Sequence, residues 1–359
     1  MSDNPKEANK EMEKALFVSA DCWLDVFHLL PPSQLGLGIA MISRRFDYFI
    51  DEHFKTRKWT LGSILIRKIG TNGKNELKIS KSNLKALPIP QKPLPSKVIG
   101  FGSIDIRFID HNVLTFLRRF ERFFASCTTT LAVETENVRI SEFVLRNIWP
   151  MLKNTFHTTI FNPIAFHRMR QLLAPSMLND CQSLHNVSFD GAIFPEFPPD
   201  DSANASDGQA VAKWLFTPRP ENLPKQLDIV NSTMEQWLTN VEQIKTEFSN
   251  AFSPVNFLIF IEFPPPFPID SIASFKRTNE FTGEQLTLTA IEEDANVLKL
   301  KRCPIAEGSE EKWQKALNEW FWATQKKRID IWIGDDGVDE GLLDVASAGS
   351  SGDQKEQKK

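Results

Sequence analysis

Between residues 17 and 54 apolar positions recur at helical spacing. Trp23, Val26, Phe27 and Leu30 fall at i, i+3, i+4 and i+7, which places them on one face of a helix that Ser19 or Asp21 can cap. Pro31 and Pro32 end that helix. Ser33 then offers a second N-cap, and Leu35, Ile39, Ile42, Phe46, Phe49 and Ile50 recur every three or four residues, with Arg44, Arg45 and Asp47 on the other side. A pair of helices this short has too little interior to pack alone, so its apolar faces must meet the rest of the chain or a partner.

From residue 112 onward helical and strand-like patterns alternate. Three strand candidates, TTTLAVE (128–134), FHTTIFN (156–162) and LHNVSFD (184–190), recur at intervals of about 28 residues. Helical patterns precede each of them: VLTFLRRFERFF, FVLRNIWPMLKN and AFHRMRQLLAPSML. Two less regular steps follow, QAVAKWLF leading to KQLDIV and MEQWLTNVEQIKTEF leading to VNFLIFIEF. Strands separated by helices favour parallel crossovers, so the predicted class is α/β, and the economical model is a solenoid of leucine-rich-repeat type. An α+β domain whose helices happen to alternate with strands is the alternative. FPEFPPDDSANASDG interrupts the spacing and predicts a surface loop.

The organisation predicted is a disordered N-terminus (1–14), a helical module (15–56), a connecting β-unit (57–111), the alternating domain (112–334) and a disordered acidic and Gly/Ser/Lys-rich tail (335–359). Within the alternating domain, FTGEQLTLTAI and VLKLKRCPI predict a hairpin. EKWQKALNEWFWATQKK predicts a helix with Trp313, Leu317, Trp320 and Phe321 on one face and Trp322 displaced from it, and RIDIWIG predicts a last strand.

Charge changes the picture by exclusion. With 42 basic against 46 acidic residues and a formal charge of -4, the chain has no broad basic field for nucleic acid or an anionic membrane. No apolar run approaches the roughly 20 residues of a membrane helix. The polar N-terminus lacks a secretory pattern, so the expectation is an intracellular protein, cytoplasmic or nuclear. Cys22, Cys127, Cys181 and Cys303 are scattered, which predicts reduced thiols and no zinc site. The six histidines form no H-E-x-x-H. The Asp200–Gly208 run has Ala205 where a calcium loop needs its sixth-position glycine, and G-x-S-x-G and P-loop motifs are absent. Asp335, Asp336, Asp339 and Glu340 read as a solvated tail edge. The expectation is a protein that is not an enzyme and has no cofactor or metal.

The residues 17–54 carry a resemblance. An opening apolar pair (Phe17-Val18), a WLDVFHLL helix, a proline turn and QLGLGIAMISRRF resemble the F-box, whose second helix is leucine-rich and ends in a Ser/Cys-Arg-Arg-aromatic run. Val18 stands where the family usually has proline, and Gly36 and Gly38 lie inside the helix. The wider chain, through KALPIPQKPLPSKVIGF and FPEFPPDDSANASDG, is similar to nematode F-box proteins of unknown substrate. The resemblance implies a non-enzymatic substrate receptor of a cullin-RING (SCF-type) ubiquitin ligase, which binds a Skp-type adaptor and through it a cullin, and holds a target protein by its C-terminal domain. It implies adaptor contacts from Phe17, Val18, Trp23, Val26, Leu30, Leu35, Ile39, Ile42 and Phe46. The alternative is a repeat-type protein-interaction scaffold with no ligase role, in which the same helices cap the solenoid.

Overall fold

A computed structural model describes the chain between residues 18 and 344, except for 56–58, 61, 70–73, 80–86, 91–97, 125–128, 135–136, 221–222, 266–271, 292–293, 305–310, 321–326 and part of 312–320. The N-terminal module has three helices, α1 (Ala20–His28), α2 (Pro32–Leu37) and α3 (Arg44–Phe54), with a 3-10 turn at Ile39–Met41. Ser19 caps α1 by accepting from the Cys22 N–H. Pro32, not a residue after Ser33, opens α2: its missing N–H is no loss in a first turn. The single second helix predicted over Leu35–Ile50 is interrupted at Gly38, where a Cβ would lie 2.7 Å from the Gln34 carbonyl oxygen. Ser43 restarts it by accepting from the Phe46 N–H.

The strands are β1 (Trp59–Thr60), β2 (Ser63–Ile69), β3 (Lys74–Ile79), β4 (Leu87–Pro88), β5 (Val98–Gly100) and β6 (Ser103–Ile106), then, after helix α4 (His111–Phe124), β7 (Thr129–Glu134). Helices α5 (Val138–Asn147) and α6 (Trp149–Leu152) lead to β8 (Phe156–Phe161), and α7 (Pro163–Leu172) and α8 (Met177–Asp180) lead to β9 (Asn186–Asp190). Helix α9 (Asp207–Leu215) leads to β10 (Lys225–Val230), and α10 (Met234–Asn250) to β11 (Phe257–Glu262). β12 (Phe275–Asn279), β13 (Glu284–Ile291), β14 (Asp294–Pro304) and β15 (Lys327–Trp332) complete the set.

Thirteen strands form one sheet in the order β12-β13-β14-β11-β10-β9-β8-β7-β15-β6-β2-β3-β4. Its centre, β11 through β2, is parallel, and each end is finished by antiparallel strands. The mixture of helices with a mostly parallel sheet is the predicted α/β class. The predicted 28-residue interval is a fact of register: Leu131, Thr159 and Val187 stand side by side, and the Thr159 hydroxyl donates to the Leu131 carbonyl 28 residues away.

One face of this sheet is a continuous apolar wall. Ile64, Ile104, Ile329, Leu131, Thr159, Val187, Leu227, Ile259, Leu300 and Leu288 form one rung across ten strands. Ile66, Ile106, Ile331 and Val133, then Phe161, Phe189, Ile229, Ile261 and Leu298, form the next, and all are buried in one core. The period of two along each strand sends the intervening residues to the opposite face. There the composition is mixed, with Asp105, Asp330, Ala132, Ile160, Ser188 and Asp228 in one row and Arg328, Thr130, Thr158, Asn186 and Gln226 in another, and Leu258, Phe260, Val297 and Cys303 form a small separate apolar cluster at β11 and β14.

Two expectations change. Residues 57–111 are not a separate connecting unit, because β2 and β6 belong to the main sheet. RIDIWIG is the last strand, as expected, and it enters the sheet between β6 and β7, pairing parallel with both. The predicted disordered tail is ordered from 335 to 344: Val338 bridges to Ile109, the Asp339 N–H donates to the Ile109 carbonyl, and Leu342 and Leu343 pack on the core. The predicted 1–14 and 345–359 segments and Trp313, Leu317, Trp320, Phe321 and Trp322 lie outside the described residues. Within the same stretch, Glu311, Gln314, Lys315 and Asn318 are helical and exposed.

A buried lysine amine gives the fold a pH dependence. Lys225, at the start of β10, donates from Nζ to the Trp214 carbonyl at 2.5 Å and lies 5.0 Å from the Trp214 ring centroid. Burial, reinforced by Arg219, lowers its amine from 10.5 to about 7. Above pH 7 the unfolded chain therefore binds a proton that the folded chain does not, so stability rises with pH. The Cys181 thiol, which burial and Asp180 raise from 9.0 to about 12, acts in the opposite sense only above pH 9. Chemical denaturation is expected to show the unfolding free energy rising by roughly 2 kcal/mol from pH 7 to 9, and Lys225→Met should flatten that slope. An unchanged slope in the variant would assign it to other groups.

Candidate functional site

The three-helix module has an inside and an outside. Phe27, Leu35, Ala40, Ile50 and Phe54 are buried in the same core as the sheet, so the module is fused to the rest of the molecule by its inner face. Trp23 and Phe46 meet edge-on between α1 and α3, with ring centroids 4.8 Å apart, and Phe27 lies 6.5 Å from Phe46. Edge-to-face aromatic contacts of this kind add to area burial, so these residues set the angle of α1 on α3. Arg45 donates from Nη2 to the Val18 carbonyl at 3.4 Å, which ties the chain entering α1 to α3.

The residues implied as adaptor contacts divide accordingly. Leu35, 1% exposed, belongs to the interior. Trp23, Leu30, Ile39 and Phe46 are half-buried and pack against the core. Val18 is half-buried, and Phe17 lies outside the described residues. Val26 and Ile42 face solvent, Ile42 at 68% exposed. The outer surface includes three apolar residues that periodicity alone did not single out: Leu29, 84% exposed at the C-cap of α1, Met41 in the 3-10 turn and Tyr48 on α3. Leu29 lies just past the end of α1, and for Met41 and Tyr48 the signal was the break at Gly38: once α2 stops there, the residues that follow no longer share the face assigned by an unbroken helix.

The charges around this surface are of both signs. Arg44 and Arg45 lie at the start of α3, where Asp47 also complements the helix N-terminus. Partial burial, with the neighbouring Asp47 and Glu52 carboxylates, raises the Asp51 carboxyl above its usual range, and Lys55, bonded to Glu52, is raised in turn. None of these groups encloses a reacting atom. The surface thus combines exposed apolar side chains with charged ones of both signs.

Elsewhere the acidic runs are held in hydrogen-bonded and ionic pairs. In the Asp200–Gly208 run, Asp207 bonds the guanidinium of Arg170 at 2.7 Å and His167 Nδ1 at 3.0 Å, and Asp200 accepts from Ser202. The acidic residues after β15 line an open, polar cleft of about 1010 Å³ at the carboxyl ends of the central strands. There Asn137 donates to Asp335 at 3.1 Å and Arg139 pairs with Asp344 at 3.3 Å. Among the described residues no three His, Cys, Asp or Glu side chains are grouped to hold a metal ion.

No helix of the described residues is long and apolar enough to cross a membrane. Comparison with protein-family models, with curated proteins and with solved structures gives no match.

Proposed function

We propose that the chain is the non-enzymatic substrate receptor of an SCF-type ubiquitin ligase in the cytoplasm or nucleus, docking a Skp-type adaptor, and through it a cullin, on the outer face of its three-helix module. The observation that carries this reading is a surplus of apolar surface. Of the twelve large hydrophobic residues exposed among the described ones, five (Val26, Leu29, Met41, Ile42 and Tyr48) fall within one short module whose inner face is already buried. A helix pair that needed only to cap the fold has no use for a second apolar side, and clustered exposed apolar groups mark association sites. The F-box-like residues of the sequence supply the identity of the partner. Catalysis is then the work of the ligase, and this chain raises the local concentration of a target.

Full-length chain co-expressed with a Skp-type adaptor is expected to elute as a one-to-one complex on size exclusion. Ile42→Asp changes a solvent-facing side chain, so it should leave melting unaltered while weakening the complex by about 2 kcal/mol or more. A well-folded wild-type chain that binds no adaptor would replace this reading with the second one, an interaction scaffold without a ligase role. That reading draws on the continuity of the core from Phe27 and Phe54 into the sheet.

A further inference from the structure

At the end of the sheet remote from β2, two phenylalanines stand in solvent on a rigid support. Phe252, in the loop after α10, is 79% exposed; Phe281, in the β12–β13 turn, is 77% exposed; their ring centroids are 5.5 Å apart. Buried polar side chains hold both loops. Asn279 donates from Nδ2 to the carbonyls of Phe248 (2.6 Å) and Ala251 (2.9 Å), and its Oδ1 accepts from the N–H groups of Phe281 and Thr282. Arg302 donates to the Ser253 carbonyl at 3.1 Å, and Glu284 accepts from the Val255 N–H at 2.7 Å. Arg302 and Glu284 also pair with each other at 2.6 Å, and all three side chains are buried. Buried polar networks are demanding to satisfy, and this one fastens the backbone on both sides of Phe252.

Two further features adjoin this platform. A hollow of about 240 Å³ opens beside it, with Pro218, Leu223, Pro254 and Pro304 among its walls and Asn256 and Thr282 as polar groups. β12, which runs into Asn279, ends the sheet: no described strand pairs with its outer edge, and Lys276, Arg277 and Thr278 are exposed. An edge strand presents a row of backbone N–H and C=O groups able to template another strand. The Glu242 carboxylate, which feels Arg277, is already bonded to Lys245 at 2.6 Å.

We propose that the outer edge of β12 and the Phe252–Phe281 platform form a docking site for an extended segment of a partner protein, one that carries carboxylates beside an aromatic or aliphatic anchor. The backbone of the segment adds to β12, its carboxylates meet Lys276 and Arg277, and its anchor packs on the two rings at the hollow. A second copy of this chain is a poor occupant, because twofold pairing of β12 centred on Lys276, on Arg277 or between them would set one of these cations directly against another, and like charges across a strand pair are destabilising. The rigidity of the platform lowers the entropy lost on binding. The site goes beyond adaptor binding and does not depend on it.

The test is selection of a phage-displayed random-peptide library on the full-length chain, followed by fluorescence polarisation with the recovered peptides. Peptides rich in Asp and Glu around a Phe, Leu or Ile are expected, and Phe252→Ser with Phe281→Ser should weaken them about tenfold or more, as loss of a hot spot does. Lys276→Glu with Arg277→Glu should weaken them as well, and deuterium exchange should show new protection at residues 275–279. All four side chains are exposed, so melting and adaptor binding should be retained in both variants, which separates failure here from failure of the ligase reading. No enrichment, or peptides that bind the serine variant as tightly as wild type, would overturn the proposal.

Discussion

Arg302→Met, with Glu284 left in place, is expected to lower the unfolding free energy by about 3–5 kcal/mol, the usual consequence of stranding one buried charge. The pair lies on adjacent strands β13 and β14, and the guanidinium reaches Glu284 through both Nε (3.1 Å) and Nη2 (2.6 Å). It is sandwiched near two rings, with Cζ 5.6 Å from the Phe216 centroid and 5.3 Å from that of Phe248. Removing the cation leaves a carboxylate with no water to solvate it and frees the Ser253 carbonyl as well. The double variant Arg302→Met, Glu284→Gln should recover part of the loss, since the remaining group is then neutral. Urea melts of the three proteins measure this. A single variant within about 1 kcal/mol of wild type would mean that solvent reaches the pair.

Phe189→Ala is expected to cost about 3–5 kcal/mol, as large-to-small changes in a close-packed core do. Phe189 is in the centre of the second apolar rung, between Phe161 of β8 and Ile229 of β10, with ring centroids 6.2 Å from Phe161 and 5.0 Å from Phe166 of α7. Among its neighbours are two aromatic rings and the β-branched Ile229, held by strand and helix geometry. Ser188→Ala, one residue away on the opposite face, should change stability by a few tenths of a kcal/mol. Comparable losses from the two variants, read by thermal or urea melting, would contradict the assignment of faces.

The parallel core was legible because its strands are short apolar runs separated by helical patterns, and the period of about 28 residues reappears as strand register. The partner of each strand was less legible. A run such as RIDIWIG declares that it is a strand, with Ile329 and Ile331 on one face, but parallel neighbours are chosen by backbone pairing that leaves no mark on composition. Glu284 and Arg302 were equally silent, since alternating charges in a hairpin read as a solvated face. In the N-terminal module, helical spacing placed Trp23, Val26, Phe27 and Leu30 together, and three of the four do pack inward. What spacing did not show was which apolar side a helix keeps when both sides are apolar. Gly38 stops α2, so Met41 and Tyr48 no longer follow the face of an unbroken helix, and Leu29 stands exposed where α1 ends.

The position of β15 bears on how the chain is made. Its residues, 327–332, pair with β6 at 103–106 and with β7 at 129–134, so the two wings of the sheet are joined by a strand synthesised almost two hundred residues after the second of them. Until that strand emerges from the ribosome, β6 and β7 present facing edges with a strand's width between them, and the order of synthesis cannot be the order of assembly. The nascent chain must therefore keep two open edges from templating wrong partners throughout translation. A premature stop between residues 304 and 327 leaves the strands of both wings present and removes the one that joins them.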